Sequence, residues 1–195
     1  MIIWLASYPK SGNTLLRSIL SSYFYSKEGD FSFKNLNHIS QFPLTSQFMS
    51  VGINIDNDEE VFKNFINVQN FLNQEKGKVK FLKTHSALCK MHGSNFTDLN
   101  NTLGVIYIVR DPRNVVNSLA HHNDLSIDEA ADTMIDNSKF LEKKKHEKNR
   151  KNQNRPKTQI CRGFYRAPNF RSPGIFELLY KQTHIRASWL RFGPR

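Results

Sequence analysis

Ile2-Ile3-Trp4-Leu5-Ala6-Ser7-Tyr8-Pro9-Lys10-Ser11-Gly12-Asn13-Thr14 decides how the rest of the chain is read. Its first six residues form a short, continuous apolar run, the pattern of a buried strand rather than of a half-exposed one. The polar loop Tyr8–Asn13 follows. From about Thr14 to Tyr25 the spacing of Leu16, Ile19, Leu20, Tyr23 and Phe24 predicts an amphipathic helix. No basic residue precedes the apolar run and Lys10 ends it early, so it reads as a strand and not as a leader segment.

Outward from this unit, Phe31 to Asp56 is irregular, and Asp58 to Glu75 predicts one amphipathic helix with Val61, Phe62, Phe65, Ile66, Gln69 and Leu72 on its face. Val79 to Lys83 predicts a second strand, ending in Thr84-His85. Gly104 to Val109 predicts a third, apolar enough for a central parallel strand. Asp111 as cap and Pro112 as first residue open a helix to about His122. Ser126-Ile127-Asp128-Glu129 is a capping box that opens another, to about Lys144. The order of strands and helices gives an α/β fold, a P-loop-like and mainly parallel sheet flanked by helices, incomplete at the C-terminus.

Charge divides the chain in two. The net charge is +11, yet residues 1–142 hold 13 Lys and Arg against 15 Asp and Glu, while residues 143–195 hold 15 against 2. Periodicity is lost at the same point, so 1–142 reads as the α/β domain and 143–195 as a basic, poorly patterned tail. We read that tail as disordered or as the product of a frameshift, truncation or artificial joining, which the other two reading frames of the coding DNA would test. No apolar stretch is long enough to span a bilayer. Two cysteines, Cys89 and Cys161, imply no disulfide framework and fit a reducing, cytoplasmic setting.

Three segments fall at expected strand ends, where parallel α/β sheets bind ligands. The first is Tyr8–Thr14. Gly12 allows a tight turn and the following helix start offers free N–H groups to an anion, with Lys10, Ser11 and Thr14 adding a cation and hydroxyls. It departs from the Walker pattern, because the lysine precedes the glycine. The second is Lys83-Thr84-His85, where a histidine has the ordinary pKa of a general base. The third is Val109 to Ser118. Arg110 leaves the strand at a helix start, and Ser118 lies eight residues on, about 800° around the helix and so on roughly the same side. Taken singly, the first is equally readable as an ordinary polar loop and the third as an arginine paired with Asp111, while the second reads more readily as a solvated strand end. His121 and His122 diverge by about 100° on a helix and do not make a metal site.

Together, and in this order, the three segments resemble the sulfotransferases that use 3′-phosphoadenosine-5′-phosphosulfate (PAPS). Tyr-Pro-Lys-Ser-Gly-Asn-Thr is similar to that family's 5′-phosphosulfate loop, Lys-Thr-His to its catalytic segment, and Tyr107-Ile108-Val109-Arg110-Asp111-Pro112-Arg113-Asn114 with Ser118 to its 3′-phosphate segment. The resemblance covers roughly 1–142. It implies that Lys10 stabilises the leaving-group oxygen, that Ser11, Gly12, Asn13 and Thr14 hold the 5′-phosphate, and that Arg110 and Ser118 hold the 3′-phosphate. His85 would take the acceptor's proton, with Lys83 assisting on the sulfuryl group. It implies PAPS as co-substrate, no metal, and a small-molecule or glycan acceptor.

Two departures accompany it. Many relatives carry Trp where this chain has Leu15, so adenine contact would come from elsewhere. The family's later Tyr-Glu-Asp-Leu-like and Arg-Lys-Gly-like segments are missing. Phe31, Phe33, Phe42 and Phe48 are candidates either for an apolar acceptor site or for the core. Competing readings are a non-catalytic nucleotide-binding module, nucleic-acid binding through the basic tail, which we disfavour, and a nucleotide kinase, disfavoured by the displaced lysine.

Overall fold

The computed structural model describes residues 1–75 and 77–135. The expected tail, 143–195, and the end of the last expected helix lie outside the described residues.

Three parallel strands form the sheet: β1 (Ile2–Ser7), β2 (Lys80–Thr84) and, past two short strands β3 (Lys90–Met91) and β4 (Ser94–Asn95), β5 (Thr102–Ile108). Their order is β2-β1-β5. The register pairs Ala6 with Thr84 and Ser7 with Ile108, so all three strands end at one level. That alignment carries the loops after β1, β2 and β5 to one edge of the sheet, the geometry expected from the sequence.

The central position is a correction. The most apolar stretch, in β5, is not flanked by two strands among the described residues; β1 is. Val105, Ile106 and Tyr107 are 41%, 39% and 38% exposed. Apolarity records how much surface a segment could bury, and strand order follows from the connections.

One sheet face carries the core. Ile2, Trp4 and Leu82 pack with Phe42, Phe48, Phe62, Phe65 and Phe96. Trp4 lies 5.6 Å from the Phe42 ring and 5.0 Å from that of Phe96. Its indole N–H donates to Thr102 Oγ1 at 3.0 Å, and a chain through Thr97 reaches the side chain of fully buried Gln69, whose Nε2 donates to the Phe96 carbonyl at 2.7 Å. Each polar group taken inside here has a partner.

The helices differ from expectation in two places. Helix α1 (Asn13–Tyr25) forms, but its apolar stripe is only partly covered: Ile19, Tyr23 and Phe24 are exposed, Leu16 and Leu20 are half-buried, and the buried positions are Asn13 and Ser21. The expected single helix over Asp58–Glu75 is two. After the five-residue α2 (Thr45–Met49), α3 (Asp58–Lys63) ends at Asn64, and α4 (Phe65–Leu72) begins there. Asn64 has φ −101° and ψ 7°, and its Nδ2 donates back to the Glu60 carbonyl. Helices α5 (Pro112–Asn123) and α6 (Ile127–Ile135) start as expected. Asp111 caps the first by accepting from the Arg113 N–H, and Ser126 with Glu129 closes a capping box on the second.

The irregular segment contains a 3-10 helix, Phe33–His38, and then runs along β2. The Lys83 N–H donates to the Ser40 carbonyl at 2.9 Å and the Phe42 N–H to the Lys83 carbonyl at 2.8 Å. Its four phenylalanines divide. Phe42 and Phe48 are in the core, whereas Phe31 and Phe33 form an exposed edge-to-face pair.

Candidate active site

The loop after β1 is fastened from beneath by Asn13. Its Nδ2 donates to the Leu5 carbonyl at 2.8 Å and to Ser7 Oγ at 3.1 Å, so the first residue of α1 is tied to the strand that precedes the loop. Gly12 precedes the helix at φ 103°, left-handed backbone that a side-chain-bearing residue adopts only with strain. A Cβ there would meet no atom within 4 Å, so the demand for glycine is conformational and not steric. No side chain caps α1, and its first internal bond runs from the Leu16 N–H to the Gly12 carbonyl. The N–H groups of Asn13, Thr14 and Leu15 therefore remain for an anion. Ser11 Oγ and Asn13 Oδ1 are buried at this point with no hydrogen-bond partner.

Lys10 also lies at positive φ, 66°. Its carbonyl accepts from Arg110 Nη1 at 3.0 Å across a separation of 100 residues, so the loop after β1 and the loop after β5 are joined directly. Asp111 does not take Arg110. It pairs with Arg113, at 2.6 Å, which holds the Asp111 carboxyl below its usual range and raises the Arg113 guanidinium. Arg110 keeps its other donors, and Ser118, half-buried on α5, makes no side-chain hydrogen bond among the described residues.

His85 stands at the end of β2 with a fixed tautomer. Its Nδ1 is 2.7 Å from the Ser7 carbonyl, which can only accept, so Nδ1 carries the proton and Nε2 is left as the acceptor. Ser7 Oγ lies 3.3 Å from the same nitrogen. Burial, above all, pushes the imidazole down to about 4; the cations of Lys83 and Arg17 act in the same direction, and the hydrogen bond to Ser7 opposes them. The ring is therefore neutral at physiological pH.

These contacts bring Lys10, Ser11, Gly12, Asn13, Thr14, Arg110 and His85 to the common end of three strands. The sulfotransferase domain family matches residues 2–166. The chain belongs to the sulfotransferase family. The match takes in the whole sheet and extends past the charge boundary near residue 143, and membership makes the chain an enzyme of the transferase class. No curated protein matches the chain.

Within this sulfotransferase the individual assignments fare unevenly as geometry. The Asn13 Nδ2 is occupied as a strap, which leaves its backbone N–H as the donor for an anion. Lys83 is partly buried on β2, and Leu15, at the position of the family's tryptophan, is 66% exposed. Two residues escaped the sequence reading. Ser7 orients His85 and anchors Asn13, and Arg17 reaches across to the 3-10 helix. A serine closing an apolar strand carries no pattern, and Arg17 was hidden in a helix read for its apolar face. Among the described residues no group of His, Cys, Asp and Glu is arranged to hold a metal, and no helix is long and apolar enough to cross a membrane.

Proposed function

We propose that this sulfotransferase moves a sulfuryl group from PAPS to a hydroxyl or amine of a small-molecule or glycan acceptor. The observation that carries the reading is the His85 tautomer: a neutral ring whose Nε2 accepts, tied through Ser7 to the strap under an anion-ready helix start. The donor's charges fit the residues present, since the loop offers free N–H groups and an unpartnered Ser11 hydroxyl, and Arg110 and Ser118 offer donors to a second phosphate.

Bound PAPS would supply the sulfuryl group, with the acceptor's oxygen or nitrogen bonding to sulfur as the bond to the 5′-phosphate oxygen breaks. His85 Nε2 takes the acceptor's proton. Lys10 neutralises charge on the departing oxygen, and Lys83 does so on the transferring oxygens. The helix N-terminus and the hydroxyls of Ser11 and Thr14 hold the 5′-phosphate still. Arg110 and Ser118 distinguish a 3′-phosphorylated nucleotide from one without that group. A cytoplasmic, reducing setting belongs to the same reading and rests on the sparse cysteines.

Calorimetric titration with adenosine 3′,5′-bisphosphate tests it. Lys10→Ala and Arg110→Ala each should weaken binding roughly ten- to hundredfold, the value of a charge-assisted hydrogen bond. Binding indifferent to both substitutions would sink the proposal. Binding lost in both, but without sulfuryl transfer to any acceptor, would favour a nucleotide-binding module over an enzyme acting on PAPS.

A further inference from the structure

Arg17 has no role in the mechanism above, yet its surroundings are costly and specific. It lies three residues past Thr14 on α1, half-buried, and its Nη2 donates to the carbonyls of Leu36 at 2.9 Å and Ile39 at 2.6 Å. Those carbonyls close the 3-10 helix, the end where a cation is favoured. None of the ion pairs among the described residues includes Arg17, and its Nε is buried without a partner. Burial lowers its proton affinity, though a guanidinium stays charged. Taking such a group half out of water costs free energy that its two hydrogen bonds must offset.

What it fixes follows from the chain. Ile39 is fully buried, and Ser40 to Phe42 pair directly with Lys83, two residues before His85. Asn13, Arg17 and Ser21 are spaced four apart, so one stripe of α1 faces inward with polar groups. The first ties the helix to β1, and the second ties it to the segment lying along β2. One helix thus carries the anion-ready N-terminus at one end and the fastening of the segment beside His85 a turn later.

We propose that Arg17 is a positioning residue that locks Phe33–Phe42 against α1 and beside His85, so that the acceptor side of the site is set by the helix that holds the donor. The inference rests on His85 and the α1 loop being the site, as argued above. Lysine should not replace arginine, because both bonds come from the outermost nitrogen, Nη2, and a lysine side chain is one atom shorter, so its ammonium falls short of the two carbonyls.

The test compares Arg17→Met and Arg17→Lys with the parent chain by amide hydrogen exchange, by NMR titration of His85, and by calorimetry with adenosine 3′,5′-bisphosphate. The groups facing His85 are Ser7 from β1, Arg17 from α1 and Lys83 from its own strand. In both variants exchange over residues 35–42 should accelerate about tenfold or more. In Arg17→Met the His85 titration should also move to higher pH, while bisphosphate affinity stays within about threefold of the parent. Should Arg17→Met not fold, Arg17→Lys carries the exchange test. Unchanged protection over 35–42, an unmoved His85 titration in Arg17→Met, or loss of bisphosphate affinity with that segment still protected would overturn the proposal. A parent chain that binds no bisphosphate would instead refute the donor reading, and the exchange result would still decide what Arg17 holds.

Discussion

At the scale of single residues, two positions make sharp demands. Gly12 takes left-handed backbone in open space, so Gly12→Ala meets no clash but must adopt the same φ. Unfolding in urea should show a loss of about 1 kcal/mol, and bisphosphate affinity should fall with it as the helix start shifts. His85 makes a pH-dependent demand. Its folded pKa is depressed from 6.5 to about 4, so the unfolded chain binds the proton first as pH falls. Stability from this group is complete above about pH 6.5 and is lost toward pH 4, by up to about 3 kcal/mol before allowance for its partial exposure. Denaturant midpoints measured across that range should slope upward with pH, and His85→Asn should flatten the slope. On the proposed mechanism the same shift keeps His85 in its base form well below neutrality, so the acidic limb of the rate should lie nearer 4 than 6.5. Lys10, Ser11, Thr14, His85 and Arg110 were legible in the sequence as types suited to anions or protons, whereas Ser7 was not. What could not be read was pairing. Arg113, and not Arg110, takes Asp111, the Asn13 amide donates to β1, and Arg110 turns instead to the Lys10 carbonyl, a contact across 100 residues that leaves no local pattern.

Elements were legible where local chemistry writes their limits. Asp111-Pro112 and Ser126 to Glu129 name helix starts by capping, and both hold. Apolar period alone was less informative. Val61, Phe62, Phe65 and Val68 keep one phase through the break at Asn64, because α3 and α4 bury the same side against one core, so the period continues where the helix does not. In α1 the apolar stripe was clear and its direction was not, since the inward stripe is polar and engaged in hydrogen bonds. The core that unites these elements is aromatic, and Phe65 is its hub: its ring lies within 6 Å of those of Phe42, Phe48, Phe62 and Phe96. Phe65→Ala leaves a cavity bounded by rigid rings that cannot collapse, so the loss should reach about 3–5 kcal/mol in equilibrium unfolding. A loss under about 1 kcal/mol would mean the cluster repacks freely, contrary to the ring geometry.

At the scale of the molecule, charge and site must be reconciled. The basic excess lies entirely in residues 143–195, while residues 1–142, which hold every proposed ligand contact, carry a slight negative excess. Attraction of a doubly phosphorylated nucleotide cannot then arise from the net charge of residues 1–142. On the proposed site it is local, from helix N–H groups, Lys10 and Arg110 acting at short range, where salt screens little. Binding to a polyanion behaves differently: each phosphate neutralised releases condensed counterions, and affinity falls steeply with salt. Raising salt from about 50 to 200 mM should therefore weaken adenosine 3′,5′-bisphosphate by less than about tenfold, whereas any single-stranded RNA held by the basic residues should lose about 300-fold or more if six or more phosphates are engaged. The two ligands should not compete, since they would occupy different stretches of the chain. Displacement of the bisphosphate by RNA at 200 mM salt would place the nucleotide among the tail cations and remove the basis for a built anion site at the end of β1. Independent binding, with the bisphosphate little affected by salt, would locate recognition in the loops that the three strands bring together.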